Sequence, residues 1–240
     1  MRYIKILLFA LLPFFGTAQI QMLLAGDTTL TGGGGGPIFS TEYQAVINKA
    51  TALGYTKPSV AQQGKQDTLM RDLIAIGALD TLDVIYIFAN DGSAEFATIN
   101  WINPDTLAGV INAPTWTSNE GYQGNASNAY INLKLTPSDS SVNNYTVRDA
   151  SVIFGVFTNP TVSGTEGWIG TRNGSSAGVT GQSIFFDNGS FNYRFNSTTN
   201  TAYAYSDPIG IWHIYQNSTG SYVYLENSLV SSNVSEAGIS

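Results

Sequence analysis

Ser183-Ile-Phe-Phe-Asp-Asn-Gly-Ser-Phe-Asn-Tyr-Arg-Phe195 reads as two strands joined by a tight turn. Aromatic and β-branched residues alternate with polar ones, and Asn188-Gly189 suits a two-residue turn that needs positive φ at both positions. Outward from it lie three more runs of the same kind. They are Asp149-Ala-Ser-Val-Ile-Phe-Gly-Val-Phe157, Ile211-Trp-His-Ile-Tyr215 and Ser221-Tyr-Val-Tyr-Leu-Glu-Asn-Ser-Leu-Val230. Strands repeated this closely predict a mainly β protein built as a two-sheet antiparallel sandwich. Period-two alternation puts Val152, Phe154, Val156, Ile184, Phe186, Ile214 and Val223 on inward faces.

The composition is that of a β-rich exported protein. Charged residues are 11% of the 240-residue chain, against about 25% in an ordinary soluble domain. Asn, Ser, Thr and Gly supply the polarity instead. A net charge of −7 disfavours nucleic acid as a partner. Without cysteine there is no disulfide framework and no thiolate metal site. The single histidine, His213, rules out a histidine-cluster metal centre.

Arg2 and Lys5, the apolar run Ile6 to Phe15, and Gly16-Thr17-Ala18 before Gln19 have the layout of an export signal, assigned to residues 1–18. The apolar run is about half the ~20 residues of a membrane-spanning helix. Because Ile20 to Ala25 extends the apolar character, a retained anchor or packed leader is the rival reading. Residues 19–37 contain the glycine run Gly32 to Gly36 and read as a linker, so residues 1 to about 36 are expected to make few contacts with the folded body.

Two helices are expected within residues 38–81, packed on the sandwich, with an autonomous helical hairpin used for docking as the alternative. Thr41 and Gln44 have capping-box spacing, Tyr43, Val46, Ile47, Ala50 and Leu53 share a face, and Gly54 closes the first helix. Pro58-Ser59 open the second, with Leu69, Leu73 and Ile76 as its apolar stripe. From Leu82 the period becomes two. Asp83 to Phe88 and Phe96 to Trp101 read as strands, followed by Trp116 to Gly124 and Ala129 to Leu135. The sandwich is therefore expected over 82–240.

Two resemblances rest on these residues. Glu42-Tyr-Gln-Ala45, Leu53-Gly-Tyr-Thr56, Pro58-Ser59, Leu82-Asp-Val84, Tyr86 to Gly92 and Asn119-Glu-Gly-Tyr122 resemble virion structural and tail proteins of phages and prophages of Bacteroidota. Ala150-Ser-Val-Ile-Phe154, Gly210 to Tyr215 and Val223 to Ser228 resemble the concanavalin A-like (laminin G-like) jelly roll. The resemblances cover about residues 38 to 240. They imply a lectin-like β-sandwich, displayed on a virion or at the cell surface. A leader signal departs from a virion protein. The jelly-roll pattern also implies a further closing strand after Val230, so the sequence is expected to be a truncated frame unless another segment supplies that strand.

No catalytic set is expected. Jelly-roll glucanases resembling this fold carry Glu-x-Asp-x-x-Glu on one strand, and this chain has no such string. Glu120, Glu166 and Glu226 read as exposed turn residues, and His213 as a half-buried strand residue bonded to a neighbour. A nucleophilic serine would need a base that the sequence does not reveal. Binding fits better, because sugars stack on aromatic faces and are oriented by Asn, Asp and Arg. Trp168, Arg172, Asn173, Asp187 and Tyr193 are the candidate ligand-binding residues, with core packing the competing reading for Trp168 and more so for Trp212. No cofactor is expected, and Asp187 and Asp207 are the only calcium candidates, without an EF-hand loop.

Three functions remain open at this point. The chain reads as a non-catalytic recognition module for a cell-surface glycan or polysaccharide on a phage tail, as a structural virion decoration or fibre protein, or as a secreted bacterial adhesin. The gene's neighbours distinguish them: capsid and tail genes favour the first two, and polysaccharide-utilisation genes the third.

Overall fold

The computed structural model describes residues 6–10, 37–125, 127–136, 144, 150–157, 165–172, 181–187, 190–197, 201–204, 209–217, 219–226 and 228–233. The fold is mainly β, with antiparallel sheets and few helices. The chain divides into two compact units, Leu7–Leu135 and Thr136–Ser240 together with Met1–Ile6. The break therefore falls at residue 135 and not at the expected 82.

In the first unit, helix α1 (Thr41–Leu53) begins at Ser40, whose hydroxyl accepts from Tyr43 N–H at 3.3 Å. Ser40 therefore takes the cap expected of Thr41. Gly54 ends the helix at φ 71, where a residue without Cβ is unstrained. Tyr43, Val46, Ile47 and Ala50 are buried as the spacing predicts, while Leu53 is exposed.

Helix α2 (Val60–Ala75) does not use its apolar stripe. Leu69 and Leu73 are half-buried and Ile76 is 73% exposed, whereas Gln63, Gln66, Asp67 and Met70 are buried. The polar residues go inward because each finds a partner. Asp67 Oδ1 accepts from Ser40 N–H at 2.7 Å and Ser40 O–H at 2.6 Å, and its Oδ2 pairs with Arg71 Nε at 2.7 Å. Tyr43 O–H donates to Gln66 Oε1 at 2.6 Å, and Gln63 Nε2 donates to Pro58 C=O.

Strand β1 (Ile6–Ala10) runs parallel to β2 (Ile85–Ala89), with Leu7, Leu8 and Phe9 beside Ile85, Tyr86 and Ile87. The expectation that the leader makes few contacts fails for these five residues. A parallel strand covered on both faces reads as an unbroken apolar run, as does the core of an export signal. Processing near Gln19 would remove β1. N-terminal mass spectrometry of the folded protein separates the two forms: an intact Met1 keeps the strand, and a start near Gln19 leaves β2 without it.

Short helix α3 (Ala94–Ala97) replaces the strand expected over Phe96 to Trp101. Ser93 caps it, accepting from Phe96 N–H at 3.2 Å, and every residue from Phe96 to Trp101 is buried, without the alternation of a half-buried strand. Tyr43 meets Trp101 edge-on at 5.2 Å between ring centres, and Phe88 meets Tyr122 at 5.6 Å. Two small two-stranded sheets also lie in this unit. In the first, β3 (Gly109–Ile111) pairs with β6 (Tyr130–Asn132), and in the second β4 (Thr115–Thr117) pairs with β5 (Gly121–Gln123).

Gly92 admits a close approach of two backbone segments. A Cβ there would lie 2.7 Å from Thr56 O, 2.8 Å from Pro58 N and 2.9 Å from Lys57 C. Gly92→Ala is therefore expected to cost about 1–3 kcal/mol, read from urea denaturation. A neutral result would mean that the Lys57 loop moves without cost.

Buried phenols set an alkaline limit on this unit. Burial pushes the Tyr43, Tyr86 and Tyr122 hydroxyls above their ordinary 10.0, with Asp67 and Asp91 adding to Tyr43 and Glu95 to Tyr122, which reaches about 12. For groups raised in this sense, the neutral form is favoured by folding. Their contribution is complete below the unfolded value and is lost as pH rises through the folded one. The melting temperature should hold to about pH 9 and fall above about pH 10. A flat profile through pH 11 would contradict this.

The second unit holds two antiparallel sheets. One has the order β11-β10-β9-β8, made of β8 (Thr165–Arg172), β9 (Gly181–Asp187), β10 (Ser190–Ser197) and β11 (Thr201–Ala204). The other includes the run β14-β13-β12-β7, made of β7 (Ala150–Val156), β12 (Gly210–Asn217), β13 (Gly220–Leu225) and β14 (Ser228–Asn233). Asp187 pairs with Ser190, so β9 and β10 join through two residues as the Asn-Gly signal predicts. Asn188 and Gly189 themselves lie outside the described residues.

The run Ser221 to Val230 is itself a hairpin, broken at Glu226, whose φ is 48. Val152, Phe154, Ile214 and Val223 are buried as expected; Val156 is half-buried, and the side chains of Ile184 and Phe186 are outside the described set. Phe191 of one sheet stacks on Trp212 of the other, with ring centres 4.2 Å apart and planes 6° from parallel.

Candidate functional site

Burial alternates residue by residue along β12: Trp212, Ile214 and Gln216 are buried, while Ile211, His213 and Tyr215 are half-buried on the opposite face. In β13, Val223 and Leu225 point the same way as Trp212, and Tyr222 and Tyr224 stand outward. The antiparallel register sets His213 opposite Tyr224 and Tyr215 opposite Tyr222. Each pair is stacked, at 5.7 Å and 6.1 Å between ring centres with planes 25° apart, and His213 lies 6.4 Å from Tyr215. Four rings thus form a two-by-two block on one sheet face.

Neutral groups border this block. The half-exposed Leu229 pairs with Tyr224, and the exposed Ser232 pairs with Tyr222. The β12–β13 turn is held by Asn217 Oδ1, which accepts from Thr219 N–H at 2.8 Å, Thr219 O–H at 2.6 Å and Gly220 N–H at 3.1 Å. Thr219 Oγ1 lies 3.0 Å from Tyr222 Oη, which fixes that ring from the turn side.

Ser151 Oγ lies 2.9 Å from His213 Nε2. That spacing matches a hydroxyl and the base that would activate it, a pairing that the sequence does not reveal. Ser151 is only 1% exposed, however, so a substrate carbonyl has no path to its oxygen. The contact acts as a cross-strand bond that orients the imidazole beneath Tyr224. This is the half-buried, neighbour-bonded role expected of His213.

Of the five residues expected to bind ligand, the described backbone separates Arg172 from Asp187. Arg172 pairs with Gly181 and Asp187 with Thr165, at opposite ends of the β8–β9 hairpin. Seven residues at ~3.3 Å each separate those ends by about 20 Å. Tyr193 is wholly buried and belongs to the core. Trp168 sits at a register shift between Gly167 and Ile169. The side chains of Trp168, Arg172 and Asp187 lie outside the described set, as do Asn173 and Asp207 altogether.

Of the three lone glutamates, Glu120 is exposed in the turn after β4. Glu226 is an exposed turn residue whose Oε1 accepts from Ile211 N–H at 2.8 Å. Glu166 differs from expectation, since it lies within β8 and not in a turn. Among the described residues, no three His, Asp or Glu side chains cluster to hold a metal, and no helix is long and apolar enough to cross a membrane. Comparison of the chain with protein-family models, curated proteins and solved structures gives no match.

Proposed function

We propose that the second unit is a non-catalytic recognition module of jelly-roll type, directed at carbohydrate and displayed at a virion or cell surface. The observation that carries this reading is the block of His213, Tyr215, Tyr222 and Tyr224. Aromatic rings bordered by neutral hydrogen-bonding groups suit the mixed apolar and hydroxylated surface of a sugar. The two-sheet reading is supported by the Phe191–Trp212 stack and by the inward burial of Val152, Phe154, Ile214 and Val223. A single block of four half-buried rings binds weakly, so display in several copies would raise its effective concentration.

The test is retention of the purified chain on immobilised surface polysaccharides, with and without Tyr222→Ala/Tyr224→Ala. Stacking by two rings is worth about 1–3 kcal/mol, so retention should fall at least about fivefold. Losing both half-buried rings costs only about 0.4–2 kcal/mol in cross-strand pairing, leaving the chain folded. Equal retention by the folded variant and the parent would remove the block as a ligand platform. Hydrolysis of any retained polysaccharide would overturn the non-catalytic reading.

A further inference from the structure

We infer that the ligand of this aromatic face is a neutral glycan, engaged without charge pairing and without a metal ion. The inference rests on the recognition reading above and concerns what that same face selects.

Strands β7, β12, β13 and β14 are Ala-Ser-Val-Ile-Phe-Gly-Val, Gly-Ile-Trp-His-Ile-Tyr-Gln-Asn, Gly-Ser-Tyr-Val-Tyr-Leu and Ser-Leu-Val-Ser-Ser-Asn. They contain no Asp, Glu, Lys or Arg. His213 is the one group among them able to carry a positive charge, and its Nε2 is turned to the buried Ser151 hydroxyl. An acidic polysaccharide would therefore surrender hydration of its carboxylates or sulfates against four strands that hold no Lys or Arg to meet them. The chain as a whole adds repulsion, with a net charge of −7. A cationic ligand fares no better at the block itself, where no carboxylate stands among the strands.

What the face does offer is apolar ring surface and neutral oxygen and nitrogen atoms. Phenol hydroxyls of Tyr222 and Tyr224 and the exposed Ser232 match hydroxyl-rich sugars by direct or water-bridged hydrogen bonds. Metal-dependent sugar binding needs a carboxylate cage, and Glu226, in the turn that follows β13, already accepts from Ile211 N–H.

The experiment uses the full chain on two immobilised panels, uncharged polysaccharides (β-glucan, mannan, galactan) and acidic ones (alginate, a sulfated galactan). Sodium chloride is varied from about 0.05 to about 0.5 M, with and without EDTA. Retention on an uncharged chain should change less than twofold across the salt range and with EDTA, and should drop in Tyr222→Ala/Tyr224→Ala. Ser232→Arg, which sets a cation opposite Tyr222, should add salt-sensitive retention of the acidic panel. Retention by the parent chain confined to the acidic panel, or falling more than fivefold with salt or EDTA, would overturn the neutral-ligand inference and leave carbohydrate recognition standing. No retention on either panel would overturn both.

Discussion

Trp212→Ala is expected to be the most damaging single substitution in the second unit. The indole is wholly buried and lies flat against Phe191 at 4.2 Å, and Ile214 and Val223, both buried, face inward beside it. Removing it subtracts one of the largest buried side chains and a ring contact that joins the two sheets. Large aromatic-to-alanine changes in a packed core cost about 3–5 kcal/mol. That is a large share of the ~5–15 kcal/mol by which a domain is stable. The urea midpoint should fall steeply, or the chain should fail to accumulate in soluble form. Trp212→Phe, which keeps a ring against Phe191, should recover much of the loss. A Trp212→Ala chain within about 1 kcal/mol of the parent would mean that the two sheets are not held by this stack.

The contrast between Trp212 and its neighbours shows what was legible in the sequence. Alternation in Ile211 to Tyr215 separates one face from the other, and the alternating burial of β12 follows it residue for residue. The Asn-Gly signal likewise identified the two-residue connection between Asp187 and Ser190. Where an element is set by partners remote in sequence, the pattern misleads. The Leu69, Leu73 and Ile76 stripe has the right spacing for a buried face, yet α2 turns Asp67 and Gln66 inward because Ser40 and Tyr43 receive them. Phe96 to Trp101 is apolar enough for a strand, but the Ser93 cap starts a helical turn and all six residues are buried together.

The site was less legible for a similar reason. Alternation puts Tyr222 and Tyr224 on a common face but does not say which residue of β12 each one meets. Only the register that sets His213 beside Tyr224 and Tyr215 beside Tyr222 assembles a block. Arg172 and Asp187 illustrate the converse. They are fifteen positions apart in a hairpin-rich stretch and look close enough to cooperate, yet the β8–β9 register sends them to opposite ends. The available signal was compositional: the absence of charged residues throughout four strands, combined with three tyrosines on two of them.

Asp67→Ala should be the costliest polar change in the first unit. The carboxylate is 6% exposed and takes three short bonds, from Ser40 N–H, Ser40 O–H and Arg71 Nε. It ties the residue that caps α1 to the middle of α2, so one side chain fixes the start of one helix against the other. Hydrogen bonds to a charged group are worth about 1.5–3 kcal/mol each, but the half-exposed Arg71 can turn to solvent and contributes little on its own. The loss then comes from Ser40, itself buried, whose amide and hydroxyl are left without their acceptor. A total of about 3 kcal/mol is expected. Arg71→Ala should cost under about 1 kcal/mol by the same reasoning. Ser40→Ala should fall between them, because it removes the hydroxyl while keeping the amide bond to Asp67. If Arg71→Ala proved as harmful as Asp67→Ala in urea denaturation, the ion pair and not the helix cap would be what holds α1 to α2.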